Sequence, residues 1–271
     1  SNMKKQIVTI AALAMSLNMF AQQWPVPNQE AKPGTRWWWL GSAVTENDLK
    51  WNLRQFADHG IGAIEITPIY GVQGNEKNNI PFLSPRYMDI LKYVNAECKA
   101  DGIEFDMATG TGWPFGGPWV PLDESASQML IIDTTVVGKK IKALDLRPIE
   151  KKRKNTTLVG IYAFSEGKFL KITTPLVEGT LTTKLPSKGT WRIIALYQKK
   201  GVMAVKRAAP GGAGLVIDHF DKQAVTNYLK HIEEAFEKTG TPYPHTFFND
   251  SYEVSESDYT PTLFQEFYNR R

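Results

Sequence analysis

The acids that close or interrupt apolar runs are where this sequence could do chemistry. Thr246-Phe247-Phe248 leads straight into Asn249-Asp250-Ser251-Tyr252-Glu253, and Asp106 sits inside the short apolar run Ile103 to Ala108. Glu65 with Thr67, and Asp218 with His219, follow the same pattern. Paired carboxyl groups suit glycoside hydrolysis: one gives a proton to the leaving oxygen and the other serves as base or nucleophile. Glu253 is the candidate catalytic residue. Asn249, Asp250, Asp106, Glu65, Asp218 and His219 are candidates for contact with a sugar. Each also has a plainer use. Glu65 and Asp106 could be buried carboxylates bonded to backbone or to an arginine, Asp218 a loop acid, and His219 a packing neighbour of the next helix.

The stretch Phe105 to Val120, F-D-M-A-T-G-T-G-W-P-F-G-G-P-W-V, adds a surface for such a ligand. Glycines let a backbone turn sharply and let another group come close. Tryptophans offer flat apolar faces on which sugar rings stack, which makes Trp113 a candidate binding residue. The competing use is a tight turn holding two half-buried indoles.

Strand–helix alternation must position these groups. Arg36 to Leu40 reads as an aromatic strand. Thr45 then caps a helix with Leu49, Leu53 and Phe56 on its apolar face, Asp48 completing a capping-box variant. Gly62 to Ile69 is a second strand. Ser84-Pro85 opens a helix with Met88, Leu91, Val94 or Asn95, and Cys98 along one side, ended by Gly102. Ile103 to Ala108 is a third strand. Near Gln128 the rhythm breaks into β-rich segments (129–137, 158–164, 168–173, 191–198) that read as an inserted antiparallel domain ending near Val205. Asp221 then caps a helix with Val225, Tyr228, Leu229, Ile232 and Phe236 before Gly240. His245 to Phe248 is the fourth strand, and Thr260-Pro261 opens a last helix. The expected fold is α/β: the N-terminal half of a (β/α) TIM-type barrel at 22–127 and 206–271, interrupted by the β-domain at 128–205. In such a barrel the catalytic groups lie at the C-terminal ends of strands, and half a barrel leaves sheet edges open, so the chain reads as part of a longer protein.

Composition excludes several other classes. Apolar residues make up 42% and charged residues 22% of 271 residues, with a net charge of +4. The basic runs 139–140, 151–154 and 199–200 read as solvated turns, not as a nucleic-acid surface. Met3-Lys4-Lys5, the apolar run Ile7 to Leu17 and Ala21 read as a secretory signal peptide over residues 1–21, with Ser1-Asn2 an expression remnant. That run is too short to span a bilayer, so the protein is expected in the periplasm or outside the cell. With Cys98 the single cysteine, no disulfide forms within the chain, and the thiol is expected to be buried as a small hydrophobe. No phosphate-binding loop occurs, and the four histidines lack metal spacing. The run Ala209 to Gly214 reads as a flexible re-entry from the inserted domain.

Together, R-W-W-W-L-G-S-A-V-T (36–45), G-A-I-E-I-T-P-I-Y-G-V-Q-G (62–74), T-G-T-G-W-P-F-G-G-P-W-V (109–120), A-P-G-G-A-G-L-V-I-D-H-F (209–220) and F-N-D-S-Y-E-V (248–254) resemble the α-L-rhamnosidase-type glycoside hydrolases of family 106. The resemblance implies an exported enzyme that releases terminal α-L-rhamnose with inversion, helped by calcium. It implies that Glu253 is the proton donor and that the base lies on a later strand, beyond Arg271. A binding protein that uses the tryptophan loop without catalysis, and a barrel glycosidase for another sugar, are the alternatives.

Overall fold

The computed structural model describes residues 25–271; the signal-peptide expectation over residues 1–21 lies outside them. Strand β1 (Gly34–Leu40) is followed by helix α1 (Glu46–Asp58), β2 (Ala63–Ile69), α2 (Pro85–Asp101) and β3 (Glu104–Ala108). A two-residue strand β4 (Gly116–Gly117) precedes six strands: β5 (Ser127–Val137), β6 (Lys140–Asp145), β7 (Thr156–Ser165), β8 (Lys168–Ile172), β9 (Thr180–Lys184) and β10 (Thr190–Lys200). Then come β11 (Leu215–Val216), α3 (Lys222–Thr239), β12 (Thr246–Phe248) and α4 (Leu263–Asn269).

Strands β1, β2, β3 and β12 form one parallel sheet in that order. Its two faces differ. Trp39, Ile64, Ile66, Phe105 and Met107 point to one side and pack against Leu49 and Leu53 of α1, Met88, Leu91, Val94 and Cys98 of α2, and Tyr228, Ile232 and Phe236 of α3. Arg36, Glu65 and Asp106 alternate with those residues and so point to the other side.

Local capping signals are obeyed. The Thr45 and Ser84 hydroxyls accept from Asp48 N and Tyr87 N, and the Asp221 carboxylate accepts from Gln223 N. Asp48 departs from the box geometry, because its carboxylate takes a hydrogen bond from the Thr45 hydroxyl at 2.7 Å. Gly102 and Gly240 end α2 and α3 in the left-handed region, with φ of 66° and 63°. Cys98 is buried, and its burial pushes the thiol up to about 12.

Four local expectations need correcting. The apolar stripe of α3 runs through Ala224, Tyr228, Ile232 and Phe236, while Leu229 is 47% exposed. One step of 100° from Tyr228 carries Leu229 off the i, i+4 line. Helix α4 starts at Leu263, not at the Thr260-Pro261 pair, and no side chain caps it. Lys199 and Lys200 lie within β10, not in a turn; Lys199 Nζ donates to the Lys154 carbonyl at 3.0 Å, and Lys200 pairs with Asp123.

The excursion from Ser127 to Lys200 builds its own core. Strands β5, β10, β7 and β8 form an antiparallel sheet, and β6 pairs with β9. Trp191, Ile193, Ala195 and Tyr197 alternate inward along β10 and meet Ile161, Ala163, Ile141 and Leu181. The Tyr197 hydroxyl, buried among them, donates to the Leu146 carbonyl at 2.7 Å. The run Ala209 to Gly214 is packed, which corrects its reading as a flexible re-entry. Phe82 N donates to Pro210 O at 2.8 Å, and a Cβ on Gly214 would collide with the Gly117 carbonyl.

The α3 stripe sets a test. Ile232→Ala should lower unfolding free energy by about 2–4 kcal/mol and Leu229→Ala by less than about 1 kcal/mol, measured by urea denaturation. Equal losses would contradict the stripe.

Candidate functional site

Strand register assembles the site. Arg36 pairs with Glu65, Glu65 with Asp106, and Asp106 with Thr246, so the four occupy one row across the sheet. All face away from the helices. Arg36 Nε meets Glu65 Oε2 at 2.6 Å, and Arg36 Nη1 reaches Asp250 Oδ2 at 3.4 Å. The guanidinium also lies over the Phe248 ring, 4.6 Å from its centroid. The Thr67 hydroxyl donates to Glu65. Asp106 Oδ1 accepts from Thr246 N at 2.8 Å and lies 3.4 Å from His245 Nδ1.

A shallow cleft of about 270 Å³ runs along this row, lined by Arg36, Glu65, Asp106, Thr246 and Phe248. Glu65 is the third of seven residues in β2, and Asp106 the third of five in β3. Both therefore sit mid-strand instead of at the C-terminal ends, and both already hold protein partners. Asp250 is at a strand end, two residues beyond β12.

A second group gathers beside the loop after β12. The His219 ring stacks on Tyr252 at 4.6 Å, and Asn249 Nδ2 donates to the Tyr252 hydroxyl at 3.3 Å. Asp218 is buried and accepts from Phe220 N at 3.0 Å. Burial raises the Asp218 carboxyl and lowers the His219 imidazole, each toward its neutral form. Glu253 is exposed on the same loop and makes no side-chain hydrogen bond or ion pair among the described residues. The loop is held at its far end, where Ser127 Oγ donates to Tyr259 O at 2.9 Å and Asp258 Oδ1 accepts from Met129 N at 2.7 Å.

Trp113 stands in a third place, on the loop after β3. Arg207 Cζ lies over its ring at 5.2 Å from the centroid and over the Tyr70 ring at 5.9 Å. Arg36, Tyr70 and Arg207 were not among the residues the sequence singled out. Period-two alternation in β1 puts Arg36 on the face away from Trp37 and Trp39, which was the available signal. Nothing local in the sequence pairs Arg207 with Trp113.

With this geometry in place, the comparisons are specific. A family model described as alpha-L-rhamnosidase matches residues 25–158 and 155–271. A curated protein of Formosa agariphila, provisionally named a beta-glucuronidase, is 25% identical over 287 residues, which is 89% of this chain and 24% of that protein. The solved rhamnosidase from Novosphingobium sp. PP1Y superposes with a TM-score of 0.61 at 15% identity, over 90% of this chain and 40% of that one. The last likeness is one of fold. The chain thus spans about a quarter of the curated relative and two fifths of the solved one. Because the family model runs through every described residue, the chain belongs to glycoside hydrolase family 106, the α-L-rhamnosidase family.

Proposed function

We propose that this chain is the N-terminal part of an exported enzyme that hydrolyses terminal α-L-rhamnosyl linkages of plant poly- or oligosaccharides with inversion. The family match across residues 25–271 carries the reading. The finer architecture belongs to it as well. Strands β1, β2, β3 and β12 are the opening strands of a (β/α) barrel, their charged row faces its interior, and residues 128–205 are an inserted domain. Export rests on the leader at residues 1–21.

In this mechanism Glu253 protonates the departing glycosidic oxygen. Asp250 is engaged by Arg36, 3.4 Å away, whereas Glu253 keeps both oxygens open to a ligand. Between them Tyr252 stacks on the His219 ring. Asp250 and Asn249 orient the sugar, and Trp113 supplies an apolar face at the rim. Inversion requires a second carboxyl that activates water on the opposite side of the ring. We place that base beyond Arg271.

A calcium ion accompanies the resemblance to the family. Among the described residues no three His, Cys, Asp or Glu side chains gather as a cation site. Glu65 and Asp250 both turn oxygens toward Arg36. No step here runs through a cation. The Formosa relative favours a second reading, in which the same scaffold cleaves a different sugar.

Two outcomes test these assignments. The full-length protein should release free L-rhamnose from rhamnogalacturonan oligosaccharides and from an aryl α-L-rhamnoside; release of glucuronic acid alone would select the second reading. Glu253→Gln should cut kcat/KM roughly 100-fold or more on substrates with poor leaving groups and much less on the aryl glycoside, which needs less protonation. Equal losses on both would remove Glu253 from the general-acid role.

A further inference from the structure

Arg207 sits at the rim where β2 ends, apart from the charged row, and its neighbours hold it firmly. Tyr70, the first residue beyond β2, donates its backbone N–H to the Arg207 carbonyl at 3.1 Å. Trp113 N donates to Lys206 O at 3.1 Å, and Lys206 N returns the bond to Trp113 O at 2.9 Å. Gly112 N donates to Pro68 O at 3.0 Å, and a Cβ on Gly112 would collide with the Lys206 carbonyl. Only a glycine lets these two segments approach so closely. Arg207 itself is held at a φ of 57°, a left-handed conformation that residues with a Cβ avoid unless their surroundings enforce it.

The side chain is held too. Its guanidinium lies over the Trp113 and Tyr70 rings, and Nη1 donates to the Tyr70 hydroxyl at 3.4 Å. Among the described residues it pairs with no carboxylate, and Arg207 is exposed. A guanidinium carries five N–H donors in a planar fork that fits a carboxylate, and among the described residues only Nη1 of Arg207 has a hydrogen-bond acceptor, the Tyr70 hydroxyl. A fixed fork loses less side-chain entropy on binding than a flexible lysine would.

We propose that Arg207, braced by Trp113 and Tyr70 at the C-terminal rim of the sheet, binds the carboxylate of a uronic acid residue in the substrate. The assignment rests on the glycosidase reading above and adds a specificity to it: an acidic sugar is preferred to its neutral ester. The carboxylate can belong to the residue that leaves or to a free uronic acid, and the experiment separates the two.

The test compares ligands that differ in that one group. On the full-length protein, kcat/KM is measured for a rhamnosyl-galacturonate disaccharide and for its methyl ester. Binding of D-galacturonate and its methyl ester is measured by calorimetry. The wild type should favour the acid over the ester by about tenfold, the usual worth of a charge-assisted hydrogen bond. Arg207→Asn should bring that ratio close to one. Asparagine tolerates the left-handed backbone, so this variant should keep its fold. Arg207→Lys, which keeps the charge and loses the fork, should fall between. Acid and ester treated alike by the wild type, or a preference that survives Arg207→Asn, would overturn the proposal. If the wild type cleaves neither disaccharide, the rhamnosidase reading falls, and the galacturonate titration still decides for or against Arg207.

Discussion

A parallel sheet is most stable with both faces dry, and one face of this sheet carries charges among its apolar residues. Ile64, Ile66, Phe105 and Met107 bury against the helices, while the opposite face carries Arg36, Glu65 and Asp106 in a single row. Half-buried charges in a row must be neutralised and hydrogen-bonded, or the strands would separate. Arg36 pairs with Glu65 in the row and with Asp250 on the loop after β12, and the Thr67 hydroxyl and the Thr246 amide supply further donors. The same bonds draw β12 and the loop after it toward β1, although β1 and β12 lie at opposite edges of the sheet. One arginine thus ties the oldest and newest strands of the chain together across the face that holds the cleft.

A second constraint is how the chain departs for the β-rich excursion after Gly117 and returns near Val205. The answer is a small lattice of backbone bonds. Strands β4 and β11 pair, Ala126 N donates to Val216 O, and Val216 N donates to Met203 O. Such close pairing leaves no room for side chains, since Cβ atoms on Gly112, Gly116 or Gly214 would strike the backbone of the partner segment. The two most glycine-rich motifs, 109–120 and 209–220, are therefore one structural unit. Trp113 lies in the first of these motifs, and Asp218 and His219 in the second.

Much of this was legible wherever the signal is local. Thr45, Ser84 and Asp221 cap helices, and Gly102 and Gly240 end them, because capping chemistry involves residues only two to four apart. The pieces that escaped depend on distant partners. Strand β6, K-I-K-A-L-D, has a register shift between Ile141 and Leu144, and β9 has one buried residue, Leu181, so neither shows clean alternation. The importance of Arg36 follows from the register of four strands, which no local spacing encodes. Leu229 was drawn into the α3 stripe because hydrophobicity alone does not tell residue 228 from 229 on a helix whose packing neighbours are unknown.

The positions of the acids argue for a division of labour that spacing could not reveal. Glu65 and Asp106 sit mid-strand with their acceptor capacity largely committed to Arg36, Thr67 and the Thr246 amide, which suits groups that fix the shape of a cleft. Asn249, Asp250 and Glu253 follow β12 on a loop tied to the sheet through Arg36 and to β5 through Tyr259 and Asp258. A loop so anchored at both ends can project a side chain without losing its aim, which is what proton transfer over hydrogen-bond distance demands. The mid-strand acids are therefore held by protein partners, while the tethered loop carries Glu253, which no described side chain engages.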